Sequence, residues 1–130
     1  MKKQYRDCAA EGLKAALPEL ECFSNQFSGY RITISVPEYT SMCPKSGNPD
    51  FGTLTIEYEP DKKVVELKSL KLYLFAYRNL GIFYENAVNR ILDDFAGACR
   101  PRWARARGEF RPRGGISTTV EAEYPRKTRK

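Results

Sequence analysis

The feature that most constrains this chain is the order in which two kinds of periodicity follow one another. Four segments have the pattern of extended strands, three of them with strict alternation of apolar and polar residues: residues 31–36, 51–58, 103–111 and 116–124. Two segments between the second and third strands, residues 68–79 and 84–98, place apolar side chains at helical spacing. This order of strand, strand, helix, helix, strand, strand predicts an α+β fold in which a four-stranded antiparallel sheet carries a pair of helices on one face.

The remaining segments set the expected boundaries. Residues 8–17 have a short helical pattern that Pro18 closes, and prolines and glycine predict a loop over residues 37–49. We expect one domain over residues 1–130, with an N-terminal extension over residues 1–18 and a basic tail over residues 126–130. The edges of such a small sheet would be left open, which favours oligomerisation through them.

The chain contains no histidine, which excludes more chemistry than any other count. A Ser-His-Asp triad, a Cys-His pair and a His-containing zinc site are impossible, so catalysis must use Cys, carboxylates, Lys, Tyr or a cofactor. The four cysteines form no close C-x-x-C pair, so the sequence predicts neither a metal site nor a disulfide framework. Without an apolar run of membrane length or a signal peptide pattern, we expect a cytoplasmic protein with reduced thiols.

The net charge of +6 comes from the C-terminal quarter of the chain. Residues 100–130 carry 10 basic and 3 acidic side chains, a net of +7, whereas residues 1–99 carry 12 and 13, a net of −1. Such a segment suits nucleic acid, a phosphorylated cofactor or simple solubility.

Cys43 is the thiol best placed for chemistry, because it lies in the predicted loop between two strands. Lys45 is close enough in sequence to lower the pKa of the thiol by its charge. Asp50 begins the next strand, where a short loop can return it to the thiol. A thiolate and a nearby carboxylic acid can add to an electrophilic carbon and protonate the resulting heteroatom, although a lone loop cysteine is more often structural.

Three further groups have both a functional and a structural interpretation. Lys68 and Lys71 share a face in the first turn of a helix, where free N–H groups also favour phosphate, but they could equally be a solvated helix start. Arg111 and Arg113 beside two glycines can bind phosphate or form a basic turn. Glu85, at the start of the second helix, can cap it or accept N–H bonds from a guanine-like base edge.

Together these residues resemble one family. The matching stretches are residues 39–44 (YTSMCP), 49–51 (PDF), 65–73 (VELKSLKLY), 77–79 (YRN) and 110–116 (FRPRGGI). They are similar to the NADPH-dependent 7-cyano-7-deazaguanine reductases (QueF family), the nitrile reductases of queuosine biosynthesis, in their short single-module form. The resemblance implies the tunnelling fold (T-fold), ring-like assemblies of pentamers or stacked pentamers, and active sites between subunits.

The resemblance also implies the reaction and the residues that perform it. A nitrile is reduced to a primary amine with two NADPH per turnover, through a covalent thioimide on Cys43 that Asp50 protonates. The implied roles of the other residues are binding of 7-cyano-7-deazaguanine for Val65, Glu66, Leu67, Tyr84 and Glu85, and binding of NADPH for Lys68, Ser69, Lys71 and Arg113. No metal is implied, and direct nucleic-acid binding is not expected.

One position departs from the family pattern, because Tyr84-Glu85 stands where the family usually has His-Glu. A tyrosine can donate a hydrogen bond, but its ordinary pKa of about 10 makes it a poor proton shuttle near neutral pH. Two other functions remain open at this point. One is a tunnelling-fold relative that uses ammonia to form an amidine on deazaguanine-modified tRNA, and the other is a non-catalytic purine- or RNA-binding module in which Trp103, Arg105 and Arg107 follow a phosphate backbone.

Overall fold

Four long antiparallel strands form the main sheet of the protein, whose computed structural model describes residues 4–127. In chain order the strands are β1 (Cys22–Ser24), β2 (Ile32–Met42), β3 (Pro49–Glu59), β4 (Lys63–Val65), β5 (Trp103–Arg113) and β6 (Ile116–Tyr124). The main sheet has the order β2-β3-β5-β6, and β1 pairs with β4 in a separate two-stranded ribbon. The predicted four-stranded antiparallel sheet is therefore confirmed, and the ribbon is an addition to it.

Two helices lie between β4 and β5, as predicted. They are α1 (Leu67–Phe75) and α2 (Tyr84–Cys99). The segment predicted as one helix over residues 68–79 is divided, because α1 ends at Phe75 and a 3-10 helix continues over Ala76–Asn79. The predicted apolar stripe is nevertheless buried, with Tyr73 and Tyr77 at 2% and 0% exposure.

The core forms where α2 packs on the inner face of the sheet. In β3 the side chains of Leu54, Ile56 and Tyr58 are buried, while the residues between them are half-exposed, as alternation predicts. Tyr58 meets Phe95 of α2 edge to face, with ring centroids 4.7 Å apart. Helical spacing brings the other buried residues of α2 to the same side: Ala87, Val88, Ile91, Leu92, Ala96 and Cys99.

Two glycines let Phe110 of β5 lie against the sheet. Gly52 of β3 is the registered partner of Phe110, and Gly108 precedes it by two residues on β5. A Cβ atom at Gly108 would lie 2.7 Å from the Phe110 ring and 2.8 Å from Val88 Cγ2. A Cβ atom at Gly52 would lie 2.9 Å from the same ring. Both positions therefore require glycine for close packing.

The opposite face of the sheet carries paired charges. Arg105 forms an ion pair with Glu57 and lies 3.7 Å from Glu121 Oε1, and Arg107 lies 3.0 Å from Glu109 Oε1 and 3.4 Å from Glu121 Oε1. Each of these arginines therefore has carboxylate neighbours on its own strand or on the adjacent strands.

Two predictions about the loops and termini were wrong. The loop predicted over residues 37–49 is shorter, because β2 continues past a register shift between Val36 and Tyr39 and ends at Met42. Residues 8–17 do not form the predicted helix. A 3-10 helix covers Tyr5–Cys8 and turns follow it.

The N-terminal extension packs on α2 through polar contacts. The guanidinium of Arg90 donates to the carbonyl oxygens of Gly12 and Ala15, at 2.5 Å each, and the Asn86 side chain donates to Ala9 O. At the other end, Arg126 of the predicted tail donates to Asp93 and Asn89 on α2. Residues 1–3 of the extension and 128–130 of the tail lie outside the described residues. Within residues 4–127, no helix is both long enough and apolar enough to cross a membrane.

Candidate active site

The loop between β2 and β3 holds Cys43 in a tight turn. The Cys43 N–H donates to the carbonyl of Asn48, and the Gly47 N–H donates back to the carbonyl of Cys43, both at 2.8 Å. Gly47 has a φ of +75°, in the left-handed region that favours glycine. Ser41 of β2 pairs with Asp50 of β3, so this short loop brings the carboxylate to the base of the turn that carries the thiol.

A second contact fixes the end of β2 against the segment between the helices. The Met42 N–H donates to the carbonyl of Leu80, and the Ile82 N–H donates to the carbonyl of Met42, both at 2.9 Å. Tyr84 begins α2 two residues later. The thiol loop and the start of α2 are therefore neighbours although some 40 residues separate them in sequence.

Hydrogen bonds around the thiol of Cys43 favour its ionised form. Partial burial raises the pKa, but hydrogen bonds from the Ser46 hydroxyl and from the N–H groups of Ser46 and Lys45 outweigh it, so the pKa of Cys43 lies below its ordinary value. The ammonium of Lys45 was predicted to act on the thiol, but it lies over the ring of Tyr5, 5.5 Å from the centroid. Lys45 therefore acts on the thiol through its backbone.

Asp50 is the buried carboxylate of the site, with 4% exposure. Its Oδ1 forms an ion pair with Arg113 and accepts a hydrogen bond from the Tyr84 hydroxyl at 3.1 Å. Within the described residues no hydrogen bond reaches Asp50 Oδ2, which leaves that oxygen open to a proton or a ligand. Arg113, predicted as a cofactor ligand, is in this chain a partner of the predicted acid.

Tyr84 contacts both the Asp50 carboxylate and the ring of Phe110. Its ring stacks on Phe110 with centroids 4.0 Å apart and an angle of 11° between the planes. Burial, and then the charge and the hydrogen bond of Asp50, raise the pKa of Tyr84 above its ordinary value. The hydroxyl is therefore a neutral hydrogen-bond donor throughout the physiological range.

These residues line one cavity of about 320 Å³. Its lining contains five of the predicted site residues, Cys43, Asp50, Tyr84, Glu85 and Arg113, together with Phe83, Ile116 and Thr118. Glu85 lies in the first turn of α2 and is exposed at the cavity, so its position agrees with both roles considered from the sequence. The cavity thus combines an activated thiol, a buried carboxylate, a cation and a second, exposed carboxylate.

The other predicted site residues lie elsewhere in the chain. Val65, Glu66 and Leu67 line a second cavity of about 370 Å³ with residues of β1, β2 and β3. Lys71 lines a third, apolar groove together with Leu67 and the exposed face of β2. None of these residues lines the cavity that holds Cys43. Within one chain the structure therefore brings together only half of the predicted site.

The N–H groups at the start of α1, which were predicted to be free for a phosphate, are already bonded in the structure. The Glu66 carboxylate caps the helix by accepting from the N–H groups of Lys68 at 2.7 Å and Ser69 at 2.8 Å, and these two bonds lower the pKa of Glu66. Those N–H groups are therefore not free for a phosphate, which leaves the exposed ammonium groups of Lys68 and Lys71. Ser69 is buried, and its hydroxyl bonds to Glu21 and to the Glu66 carbonyl, so the geometry does not favour its predicted contact with a cofactor.

Sequence reasoning missed two residues of the site. Ser46 contributes to the lowered pKa of the Cys43 thiol, and a hydroxyl three residues after a candidate nucleophile in a tight loop was the available signal. Phe110 provides the ring on which Tyr84 stacks, and the signal was its place near two glycines, Gly108 on its own strand and Gly52 on the neighbouring strand. Within residues 4–127, no group of three or more Cys, Asp or Glu side chains could hold a metal.

The structure is an α+β protein of the tunnelling-fold type, and one of its cavities is lined by a cysteine thiol and a buried carboxylate. In the crystal structure of the archaeosine synthase QueF-Like in the apo form, the matching fold covers 75% of this chain and 95% of that one, with a TM-score of 0.69 and 23% identity. At that identity the likeness concerns the fold alone.

Sequence comparisons are more specific. The family model for QueF-like protein matches residues 49–129. An NADPH-dependent 7-cyano-7-deazaguanine reductase of Elusimicrobium minutum is 51% identical over 94% of this chain and 93% of its own length. The protein of the same name from Nitrosococcus oceani is 55% identical over 82% of this chain and 84% of its own length. The chain belongs to the QueF-like family.

The hydrogen bonds at Cys43 lead to a first prediction. Replacing Ser46 with Ala removes the hydroxyl that favours the thiolate, so the midpoint of iodoacetamide alkylation of Cys43 against pH moves to higher pH. The matched control is Lys45→Met, which keeps the backbone N–H and changes only a side chain that lies over Tyr5. An unchanged midpoint in Ser46→Ala would contradict a role for the hydroxyl, and a larger shift in Lys45→Met would show that the charge of Lys45 matters more than the Ser46 hydroxyl.

Proposed function

We propose that this chain reduces the nitrile 7-cyano-7-deazaguanine to the primary amine 7-aminomethyl-7-deazaguanine with NADPH, in the biosynthesis of queuosine for tRNA. The observation that carries the proposal is the cavity in which Cys43, with its lowered pKa, lies together with Asp50 and Glu85. Relatives that are 51% and 55% identical to this chain over the aligned residues are named for that activity. We further propose that the chain acts in the cytoplasm as one tunnelling-fold domain.

The thiol and the buried carboxylate divide the first step between them. A nitrile accepts hydride poorly, and addition of the Cys43 thiolate to its carbon gives a thioimide, a more reactive C=N group. The nitrogen that gains electron density needs a proton, which Asp50 supplies. Because Arg113 and Tyr84 both bond to Oδ1, the free oxygen Oδ2 is the one that carries and transfers that proton.

Glu85 supplies the contact that selects a guanine-like ligand. A carboxylate accepts two hydrogen bonds side by side, which matches the ring N–H and the 2-amino group of a deazaguanine. Glu85 is exposed in the cavity and close in sequence to Tyr84, so a base bound to it would direct its substituent toward the thiol loop. Val65, Glu66 and Leu67 remain the second predicted contact with the base.

The side chains present fit a cofactor that carries phosphates. Lys68 and Lys71 are exposed, lie one turn apart on α1, and have no salt bridge within residues 4–127. Arg113 is also 40% exposed and could share its guanidinium between Asp50 and an anion. We propose that these three cations hold the NADPH phosphates, and NADPH when bound supplies the hydride equivalents.

Two halves of one site in separate cavities favour an active site built from two subunits. Apart from Met42 at the end of β2, the outer edges of β2 and β6 pair with no other strand within residues 4–127, and another copy could pair them. Exposed apolar side chains lie near these edges and on α1, among them Phe51, Leu67, Phe75 and Ile116. We propose a homo-oligomer, a pentamer or a stacked pair of pentamers, in which the Lys68 side of one chain faces the Cys43 cavity of the next.

The charge pattern does not favour the RNA-binding alternative. Arg105 and Arg107, which could have followed a phosphate backbone, are paired with glutamates on their own strand and on both neighbouring strands. The amidine-forming alternative shares Cys43 and Asp50, so the co-substrate decides between it and the reductase.

The central test combines a mass measurement with a rate. Wild-type protein mixed with 7-cyano-7-deazaguanine should gain the mass of the nitrile on Cys43 and oxidise NADPH. Cys43→Ala should lose the adduct and more than about 10³-fold of the rate. Asp50→Asn should lose about 10²- to 10⁴-fold while iodoacetamide still alkylates Cys43, because only the proton donor has changed. Turnover with ammonia but not with NADPH would instead support the amidine reaction.

The shared site has its own test, by mixing inactive variants. Cys43→Ala lacks the thiol, and a Lys68→Glu/Lys71→Glu double variant lacks the proposed phosphate contacts. If the two halves come from different subunits, co-expressing both variants restores about one quarter of the sites, since each intact site needs one subunit of each kind. If both halves act within one chain, the mixed protein stays inactive although each variant folds.

Tyr84 gives a prediction about pH. Tyr84→Phe keeps the ring on Phe110 but removes the bond to Asp50, so kcat should fall about 10-fold or more, as for a hydrogen bond to a charged group. Because the pKa of Tyr84 is raised, ionisation of this hydroxyl should cause no change in the wild-type kcat between pH 5.5 and 9. Tyr84→His should introduce a limb near a pKa of about 6.5. Superimposable pH profiles for all three proteins would exclude a role in proton handling.

A further inference from the structure

Two cysteines outside the candidate site lie in contact. The Sγ atoms of Cys22 and Cys99 are 3.0 Å apart, although 77 positions separate them in sequence. Cys22 begins β1 and is partly exposed, whereas Cys99 is the last residue of α2 and is buried. Neither lines the cavity that holds Cys43, and no third Cys, Asp or Glu within residues 4–127 joins them in a metal-binding group.

We propose that Cys22 and Cys99 form a reversible modification site, which small-molecule disulfides such as oxidised glutathione convert into an internal disulfide bond. This inference goes beyond the proposed function, because it concerns thiols that the reduction does not use. The contact is direct, so the sulfur atoms need to approach by only about 1 Å to reach bonding distance.

The difference in exposure between the two thiols sets the order of events. Cys22, which solvent reaches, attacks one sulfur of the small disulfide as its thiolate and releases one thiol, leaving a mixed disulfide on Cys22. Cys99 then attacks the Cys22 sulfur, its proton leaves with the second small thiol, and the internal bond forms. Two protein thiols are oxidised and one small disulfide is reduced to two thiols. Burial, and then the bond and the charge of Cys22, raise the pKa of Cys99, which suits the second role rather than the first.

The bond would act on the part of the chain that carries the second half of the candidate site. Cys22 is registered with Val65 of β4, and the adjacent Glu21 carbonyl accepts from the Glu66 N–H at 2.8 Å. The N–H of Glu21 also donates to the Ser69 hydroxyl at 2.9 Å. A Cys22–Cys99 disulfide would therefore tie the β1–β4 ribbon and the start of α1 covalently to the end of α2.

The test uses a chain in which the reactive Cys43 has been replaced by Ser, so that three cysteines remain. After treatment with oxidised glutathione, denaturation and iodoacetamide labelling, we expect one labelled cysteine, Cys8, and a peptide pair cross-linked through Cys22 and Cys99. Cys8 is the internal control, because it is buried and its thiol donates to the carbonyl oxygens of Gln4 and Tyr5. Dithiothreitol should restore all three labels.

The same protein gives a second readout that does not depend on labelling. The oxidised form should melt higher than the reduced form by on the order of 10 °C, because the bond closes a long loop that is already in native geometry. A stable glutathione adduct on Cys22 without the cross-linked peptide would overturn the proposal, and so would an oxidised form that melts lower.

Adding Cys22→Ser should leave Cys99 labelled after the same treatment, whereas a disulfide between Cys99 and Cys8 in that variant would show that the pairing is not specific. Nitrile reduction is not measured in this experiment, so its outcome is independent of the proposed function.

Discussion

The candidate site depends on the two backbone hydrogen bonds of Met42. Its N–H and its carbonyl both bond to the segment between the helices, to Leu80 and Ile82, at the point where β2 ends. These two bonds form a short bridge between the last residue of β2 and the extended segment that precedes α2. They therefore fix the end of the strand next to the start of the helix. The thiol loop that follows Met42 and the α2 residues that follow Ile82 then have to lie side by side. The cavity is a consequence of this junction more than of any contact between the functional side chains.

Most of the fold could be predicted because it follows from local periodicity. The alternation in β3 and β5 and the helical spacing in α2 can be recognised from residues close together in sequence. The apolar positions of these patterns are the residues that the structure buries. The N-terminal extension could not be predicted in this way. It is held by Arg90 and Asn86, polar side chains of α2 that bond to backbone carbonyls about 75 positions away, and no periodicity reports such contacts.

The site was predictable in its residue types and less so in its partners. Cys43, Asp50 and Glu85 stand where their motifs suggested, since a short loop and a helix start restrict where a side chain can be. The pairing of Arg113 with Asp50 was not predictable, because a guanidinium on a turn could reach several anions. The cap by Glu66 was also not predicted. Its carboxylate accepts hydrogen bonds from the same N–H groups that a phosphate would need.

Phe110 connects the packing of the sheet to the candidate site. Its ring lies over Gly52 and Gly108 toward the sheet and under Tyr84 toward the cavity. A single aromatic ring thus packs on two glycines of the sheet on one side and supports, on the other, the tyrosine that lines the cavity. A change in packing beneath the ring would therefore shift Tyr84 and its hydrogen bond to Asp50. A substitution at position 84, above the ring, would instead leave the contacts with Gly52 and Gly108 in place, so the hydrogen bonding inside the cavity can change without a change in the packing below it.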